Sequence, residues 1–278
     1  MIAAKACLVG GVAALTSCAV APDTTAQAMP SQSAQDAAND TPVARALAPT
    51  GELRASINLG NPVLATLPEG AQQPVGVSVD LATELARRLH VHLRLVVVHS
   101  AQASVANLDD DKADIGFFAV DPNRAAQITF TRPYVQIEGA YAVRNSSTIQ
   151  SATDVDQPGI RVAVSAGSAY DLYLTRALHH ATLVRLPVDG VVNGFSDQHL
   201  EVLAGIRSQL DLEASRRGGL HVLDQPFMVI AQAMGVPTRD GTDVADYLSA
   251  FVAQMTTSGF VEASLKRHQI VGAVAVKP

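Results

Sequence analysis

The chain has 278 residues, 48% of them hydrophobic and 17% charged, with no tryptophan and a formal charge of −6. That length and apolar content support a large core in one large or two modest domains. Mild acidity with scattered Lys and Arg argues against nucleic acid as a partner, because neutralising phosphates needs clustered cations.

Residues 1–20 carry a single charge, Lys5, ahead of an apolar run too short to span a bilayer comfortably, which is the form of a secretory leader. The run ends in Leu15-Thr16-Ser17-Cys18, similar to the lipobox of bacterial lipoproteins, so Cys18 is the expected lipidation site and the lipid the expected membrane anchor, the alternative being an ordinary signal peptide cut nearby. Both cysteines, Cys7 and Cys18, belong to residues 1–18, which leaves the mature part without a disulfide or a thiol nucleophile. Residues 19–50 are rich in Ala, Pro, Ser, Thr, Gln and Asp and show no sustained hydrophobic period. They read as a flexible linker.

Folded sequence is expected from Gly51. Leu53, Ala55, Ile57 and Leu59 alternate with Arg54, Ser56 and Asn58, the period of a strand with one buried face. A turn-rich loop runs from Gly60 to Pro74. Over residues 78–89, Leu81, Leu85 and Leu89 share one face and Glu84 stands four residues before Arg88, which predicts an amphipathic helix. Residues 91–98 are almost continuously apolar and read as a strand covered on both faces. A weaker helix over residues 104–111 then leads to the apolar run 115–120. Strand, helix, strand, helix, strand is the α/β pattern.

The run 115–120 ends at Asp121-Pro122, an N-cap acceptor followed by a proline at a first helical position. A helix is therefore expected to open there, with Arg124 in its first turn beside free backbone N–H groups. That arrangement is an anion site in outline.

Residues 135–143 form a long apolar segment that contains Glu138 and Gly139 and could run between two lobes. A second unit follows: a strand at 160–164, the small-residue turn Ala166-Gly167-Ser168-Ala169, and a helix over 170–177. Strand-like runs at 182–186 and 220–223, with the stretch 200–206 between them, continue it. Residues 227–234 are apolar, 243–257 carry a helical stripe ended by Gly259, and a short helix reaches His268.

Taken together, Gly51-Glu52-Leu53-Arg54, Gly76-Val77-Ser78-Val79-Asp80-Leu81-Ala82, Pro122-Asn123-Arg124-Ala125 and Phe130-Thr131-Arg132-Pro133-Tyr134 resemble the type II periplasmic solute-binding proteins, in particular the polar amino-acid branch (family 3) that feeds ABC importers. Residues 160–168 and the segment 253–260 match as well. The resemblance implies an α/β fold of two lobes, each a mixed sheet flanked by helices, with the ligand cleft between them. It implies a first lobe of 51–140 plus 235–278, a second of 141–234, and closure by a hinge. It also implies a monomer without a cofactor or a metal, and a membrane permease as partner.

On that resemblance Arg124 would fork onto a ligand carboxylate. Backbone N–H groups at Phe117, Ala119 and Ser168 would complete the cradle, with Gly167 and Ala169 beside them. Phe117 and Phe118, adjacent in a strand, would divide between core and cleft wall. The usual acidic partners of a ligand ammonium are missing: Asn58 stands at the first such position and Ile206 or Arg207 at the second. The aromatic residue usual after the second strand is replaced by His99-Ser100, and Ala119 stands where a hydroxyl is common. The ligand that the resemblance implies is thus a small carboxylate-bearing solute, an amino acid or a related organic acid.

Two other functions fit the same fold. A dehydratase acting on a cyclic carboxylic acid would need an acid or base, for which Glu138 and His99 are the candidates. A sensor input would need a separate signalling partner. Zinc spacing, a Gly-x-Ser-x-Gly elbow, a Walker A loop and an EF-hand loop are all missing from the sequence, Asp109-Asp110-Asp111 reading as a solvated helix end.

Overall fold

The computed structural model describes residues 41–277. Cys18 and the leader lie outside the described residues, as does most of the linker. The end of that linker is folded: Pro42–Leu47 is a helix, α1, whose N-cap Thr41 accepts a hydrogen bond from the Ala44 N–H. Ala44, Leu47 and Ala48 join the main core, so the folded unit starts about ten residues before the position expected from composition. Small apolar residues among prolines look like a linker until a neighbouring helix supplies a surface for them.

In chain order there follow β1 (Glu52–Asn58), α2 (Val77–Leu89), β2 (His92–Val98), α3 (Ala101–Asp109) and β3 (Ile115–Ala119). The short β4 (Ile128–Phe130) precedes β5 (Val135–Arg144). Next come β6 (Arg161–Ser165), α4 (Ala169–Ala177), β7 (Thr182–Leu186), α5 (Val191–Asp197) and β8 (Val202–Ile206). The chain continues through α6 (Arg207–Arg217), β9 (Leu220–Val222) and β10 (Met228–Pro237), and ends in α7 (Thr242–Thr257), α8 (Phe260–Arg267) and β11 (Ala273–Ala275).

Local chemistry sets most of these elements. The α2 stripe of Leu81, Leu85 and Leu89 is buried, and Glu84 binds both Arg88 (2.8 Å) and Arg87 (2.7 Å) on the outer face. Gly76 begins α2 at φ 136, a backbone region open to glycine. A Cβ there would also collide with the Leu64 carbonyl. Ser100 caps α3, its hydroxyl accepting from the Ala103 N–H.

Among the described residues one 11-stranded curled sheet runs in the order β2-β1-β3-β10-β5-β8-β6-β7, with β4 added on β10 and β9 and β11 on β5. β1 pairs in parallel with β2 and β3, and β6 in parallel with β7 and β8. The two parallel halves meet at antiparallel β10 and β5, paired from Met228↔Gly139 to Gln232↔Val135. Sequence-distant strands thus form the bridge, and each half carries its own helices and core. The fold is α/β with two lobes. β2 differs from the expectation of a strand covered on both faces: it is the sheet edge, with His92, Arg94 and Val97 facing solvent.

Candidate ligand-binding cleft

The carboxyl ends of β1, β3, β6 and β8 all open onto the gap between the halves. The cleft there encloses about 600 Å3 of empty space, including its open mouth. Asn58, Phe117, Ala119, Arg124, Ser168 and Ile206 border it, and Phe118, Ala169, Tyr170, Ile230 and Gln232 do too.

Arg124 is held differently from the sequence expectation. Asp121-Pro122 starts no α-helix; a single 3-10 turn, Arg124–Ala126, leads straight into β4. The β-prone Ile128-Thr129-Phe130 pairs with Gly235, Val236 and Pro237 of β10, and this pairing ends the turn. The Asp121 side chain instead closes a two-residue turn by accepting from the Asn123 N–H (2.8 Å). Arg124 therefore does not sit in the first turn of an α-helix, and the helix N-terminus at the site is that of the Ala169–Ala177 helix on the far wall.

The Arg124 side chain lies almost fully inside, 6% exposed. Its Nη1 donates to the Ala119 carbonyl (3.1 Å) and its Nη2 crosses the gap to the Gly167 carbonyl (2.9 Å). Arginine's fork carries more N–H donors than these two bonds use. Burial holds the guanidinium's pKa below its ordinary value, with the charge of Asp121 opposing. No carboxylate pairs with Arg124 among the described residues. A buried cation without an anion is costly, and the cost falls when an anion arrives.

Gly167 does not itself border the cavity. Its φ of 69 turns the carbonyl toward Arg124, while its N–H donates to the Asp171 carboxylate (2.9 Å). Ser168 is the N-cap of α4: its hydroxyl accepts from the Asp171 N–H, and its own N–H is already donated to the Ser165 carbonyl (3.1 Å). That N–H is therefore committed in this structure rather than free for a ligand. Phe117 and Phe118 both touch the cleft, yet each ring packs edge-on in the core, on Tyr134 and Phe130 respectively. The Asn58 side-chain carbonyl accepts from the Gly60 N–H (2.9 Å), which turns its amide nitrogen outward.

The two candidate acid–base residues lie elsewhere. Glu138 faces outward from β5, paired with Arg207 (2.6 Å), and His99 is exposed; neither borders the cleft. Ile206 borders it and Arg207 does not.

Among the bordering residues that were not anticipated are Tyr170 and Gln232. Burial raises the Tyr170 phenol pKa, and the neighbouring Ser165 and Ser168 oppose the shift. Gln232 sits in β10 opposite Ala119, 3% exposed, and its side-chain amide finds no hydrogen-bond partner among the described residues. An amide within the apolar run 227–234 was the available sequence signal. An ion pair also crosses the gap, from Arg176 of α4 to Asp121 (2.7 Å).

An α/β protein with paired lobes, a bridging strand pair and an inter-lobe cleft belongs structurally to the two-lobe binding proteins. The chain is a member of the bacterial extracellular solute-binding proteins, family 3, whose model matches residues 56–269. Similar solved structures include an amino-acid ABC transporter substrate-binding protein from Streptococcus pneumoniae bound to L-arginine. It has 20% identity and a TM-score of 0.68, over 82% of this chain and 99% of that one. A cysteine-binding protein from Campylobacter jejuni has 18% identity and a TM-score of 0.68, over 84% and 98%. An ancestral amino-acid-binding protein, a precursor of cyclohexadienyl dehydratase, has 18% identity and a TM-score of 0.66, over 80% and 96%. No curated protein sequence matches. Among the described residues no helix is long and apolar enough to cross a membrane.

Proposed function

We propose that the protein is the extracytoplasmic solute-binding component of an ABC importer and that it captures a small carboxylate-bearing solute by closing its lobes. The observation that carries this reading is Arg124: buried, in no ion pair among the described residues, and the charged side chain on a cleft wall where the described residues include no Asp, Glu, His or Lys. A planar guanidinium suits two carboxylate oxygens, and Asn58 and the backbone of β3 supply neutral donors beside it. The first lobe would comprise residues 51–140 plus 235–278, extended by α1, and the second 141–234. The β10–β5 pair would act as the hinge. Lipidation at Cys18 would tether a monomer to the membrane near its permease.

Ligand binding can shift the lobes only by favouring the closed form. Arg124 reaches the Gly167 carbonyl of the opposite lobe, so a ligand that engages Arg124 binds a side chain that already joins the two halves. The dehydratase alternative has the third of these similar structures on its side and lacks an acid or base on the cleft wall. The test is a thermal-shift screen of amino acids, oxo acids and dicarboxylates against the protein and its Arg124→Ala variant. Loss of charged hydrogen bonds worth about 3 kcal/mol together should weaken binding roughly a hundredfold. Undiminished binding to Arg124→Ala would overturn the assignment.

A further inference from the structure

We infer that the ligand is a monocarboxylate without any cationic group, carrying a neutral oxygen next to its carboxylate: a small 2-oxo or 2-hydroxy acid with an apolar body. The inference rests on the reading of Arg124 as carboxylate anchor and narrows the class of solute.

The charge balance of the cleft comes first. Arg124 contributes one positive charge, and no carboxylate borders the cavity. The nearby acids are committed. Asp121 accepts from the Asn123 N–H with one oxygen and pairs with Arg176 through the other. Asp171 accepts from the Gly167 N–H and from Thr175, and pairs with Arg185 (2.9 Å). A monoanion would neutralise the cleft. A zwitterion would leave its ammonium desolvated with no counter-ion, which is strongly unfavourable.

Gln232 is the second observation. The Val120 N–H donates to the Ala231 carbonyl, so the neighbouring pair Gln232↔Ala119 is of the closer, non-hydrogen-bonded kind, with both side chains on one face. The Ala119 carbonyl itself holds Arg124. An amide with no side-chain partner among the described residues therefore borders the same cavity as the guanidinium, on the sheet face that carries Ala119, and can meet a substituent on the carbon next to a bound carboxylate. An amide can donate to a ketone oxygen and can both donate to and accept from a hydroxyl. It can accept from an ammonium too, but a neutral dipole does not replace a counter-ion. Ile137, Ile206 and Ile230 complete that part of the wall, which favours an apolar remainder.

The experiment is isothermal titration of the purified protein with matched sets on two skeletons. One set is leucine, 4-methyl-2-oxopentanoate, 2-hydroxy-4-methylpentanoate and 4-methylpentanoate; the other is phenylalanine, phenylpyruvate, phenyllactate and 3-phenylpropanoate. The oxo or hydroxy acid should bind at least about a hundredfold more tightly than the amino acid of the same skeleton, the ratio equivalent to roughly 2.7 kcal/mol. It should also exceed the unsubstituted acid, and Gln232→Leu should erase that second advantage alone. Ile206→Asp should move preference toward the amino acid. Tighter binding of the amino acid to the unaltered protein overturns the inference and leaves the carboxylate reading standing. Binding that survives Arg124→Ala overturns the carboxylate reading instead, and binding of no member of either set overturns the inference.

Discussion

Replacing Arg176 with alanine should weaken ligand binding although Arg176 does not border the cleft. The Arg176–Asp121 pair joins α4 to the segment after β3 across the gap, at 2.7 Å. Its two ends are unequal: the Asp121 side chain is 5% exposed and that of Arg176 40%. Opening the lobes would let Asp121 take water in place of Arg176, so the pair favours the closed form. A hydrogen bond to a charged group contributes about 1.5–3 kcal/mol, and partial exposure of Arg176 puts this one at the low end. A loss of about 1.4 kcal/mol lowers the closed fraction of a mostly open protein roughly tenfold, and the apparent Kd rises by the same factor. Isothermal titration with the tightest carboxylate from the screen measures it. Arg161→Ala is the control, since Arg161 is similarly exposed at 43% but pairs with Glu201 within its own lobe. Equal affinities for Arg176→Ala and Arg161→Ala would refute the latch.

Stability offers two further tests. Asp114 accepts the Arg54 N–H (2.7 Å) and the Arg54 guanidinium (2.6 Å) at the start of β3, and it is nearly buried; Asp114→Ala should cost about 3 kcal/mol in chemical denaturation, the low end for breaking such a pair. A loss below about 1 kcal/mol would show that Arg54 is satisfied by the Asp111 carbonyl and water. For pH dependence, the Arg87 and Arg88 guanidinium groups lower Glu84 to about 2, and the Ala181, His180 and His179 N–H groups lower Asp156 to about 2. Both acids bind protons more weakly when folded than when unfolded. The stability they contribute is present above the unfolded carboxylate range and is lost as pH falls toward 2. The melting temperature should fall between pH 5 and pH 2, roughly the range between unfolded and folded values, and should fall less in Asp156→Asn. An identical slope in that variant would remove Asp156 from the account.

Much of the fold was legible because its signals are local. The Leu81, Leu85 and Leu89 stripe, the Glu84–Arg88 spacing and the alternation of β1 each depend on a few neighbouring residues. The features that escaped depend on distant partners. Asp121-Pro122 does carry helix-start chemistry, but β4 is drawn onto β10, more than a hundred residues later. Residues 42–47 read as linker because Ala44 and Leu47 are too few to form a period, and their burial depends on α7. The apolar run of β2 could not reveal that the strand would end up at the sheet edge.

The cleft divided in the same way. Arg124, Asn58, Ala119, Ser168 and Ile206 could be picked out in the sequence, and all border one cavity. How each is engaged could not: the Ser168 N–H is spent within its own turn, and the Gly167 carbonyl rather than its N–H meets Arg124. Gln232 escaped because its meaning comes from lying opposite Ala119, a relation set by the antiparallel pairing of β10 with β3.

The central claim is that Arg124 receives the carboxylate of the solute. A crystal structure of the protein with the tightest acid from the screen tests it most directly. The account predicts both carboxylate oxygens within about 3 Å of Arg124 nitrogens, with the lobes closed over them. A carboxylate bound elsewhere in the cleft, with Arg124 still donating only to the Ala119 and Gly167 carbonyls, would contradict it.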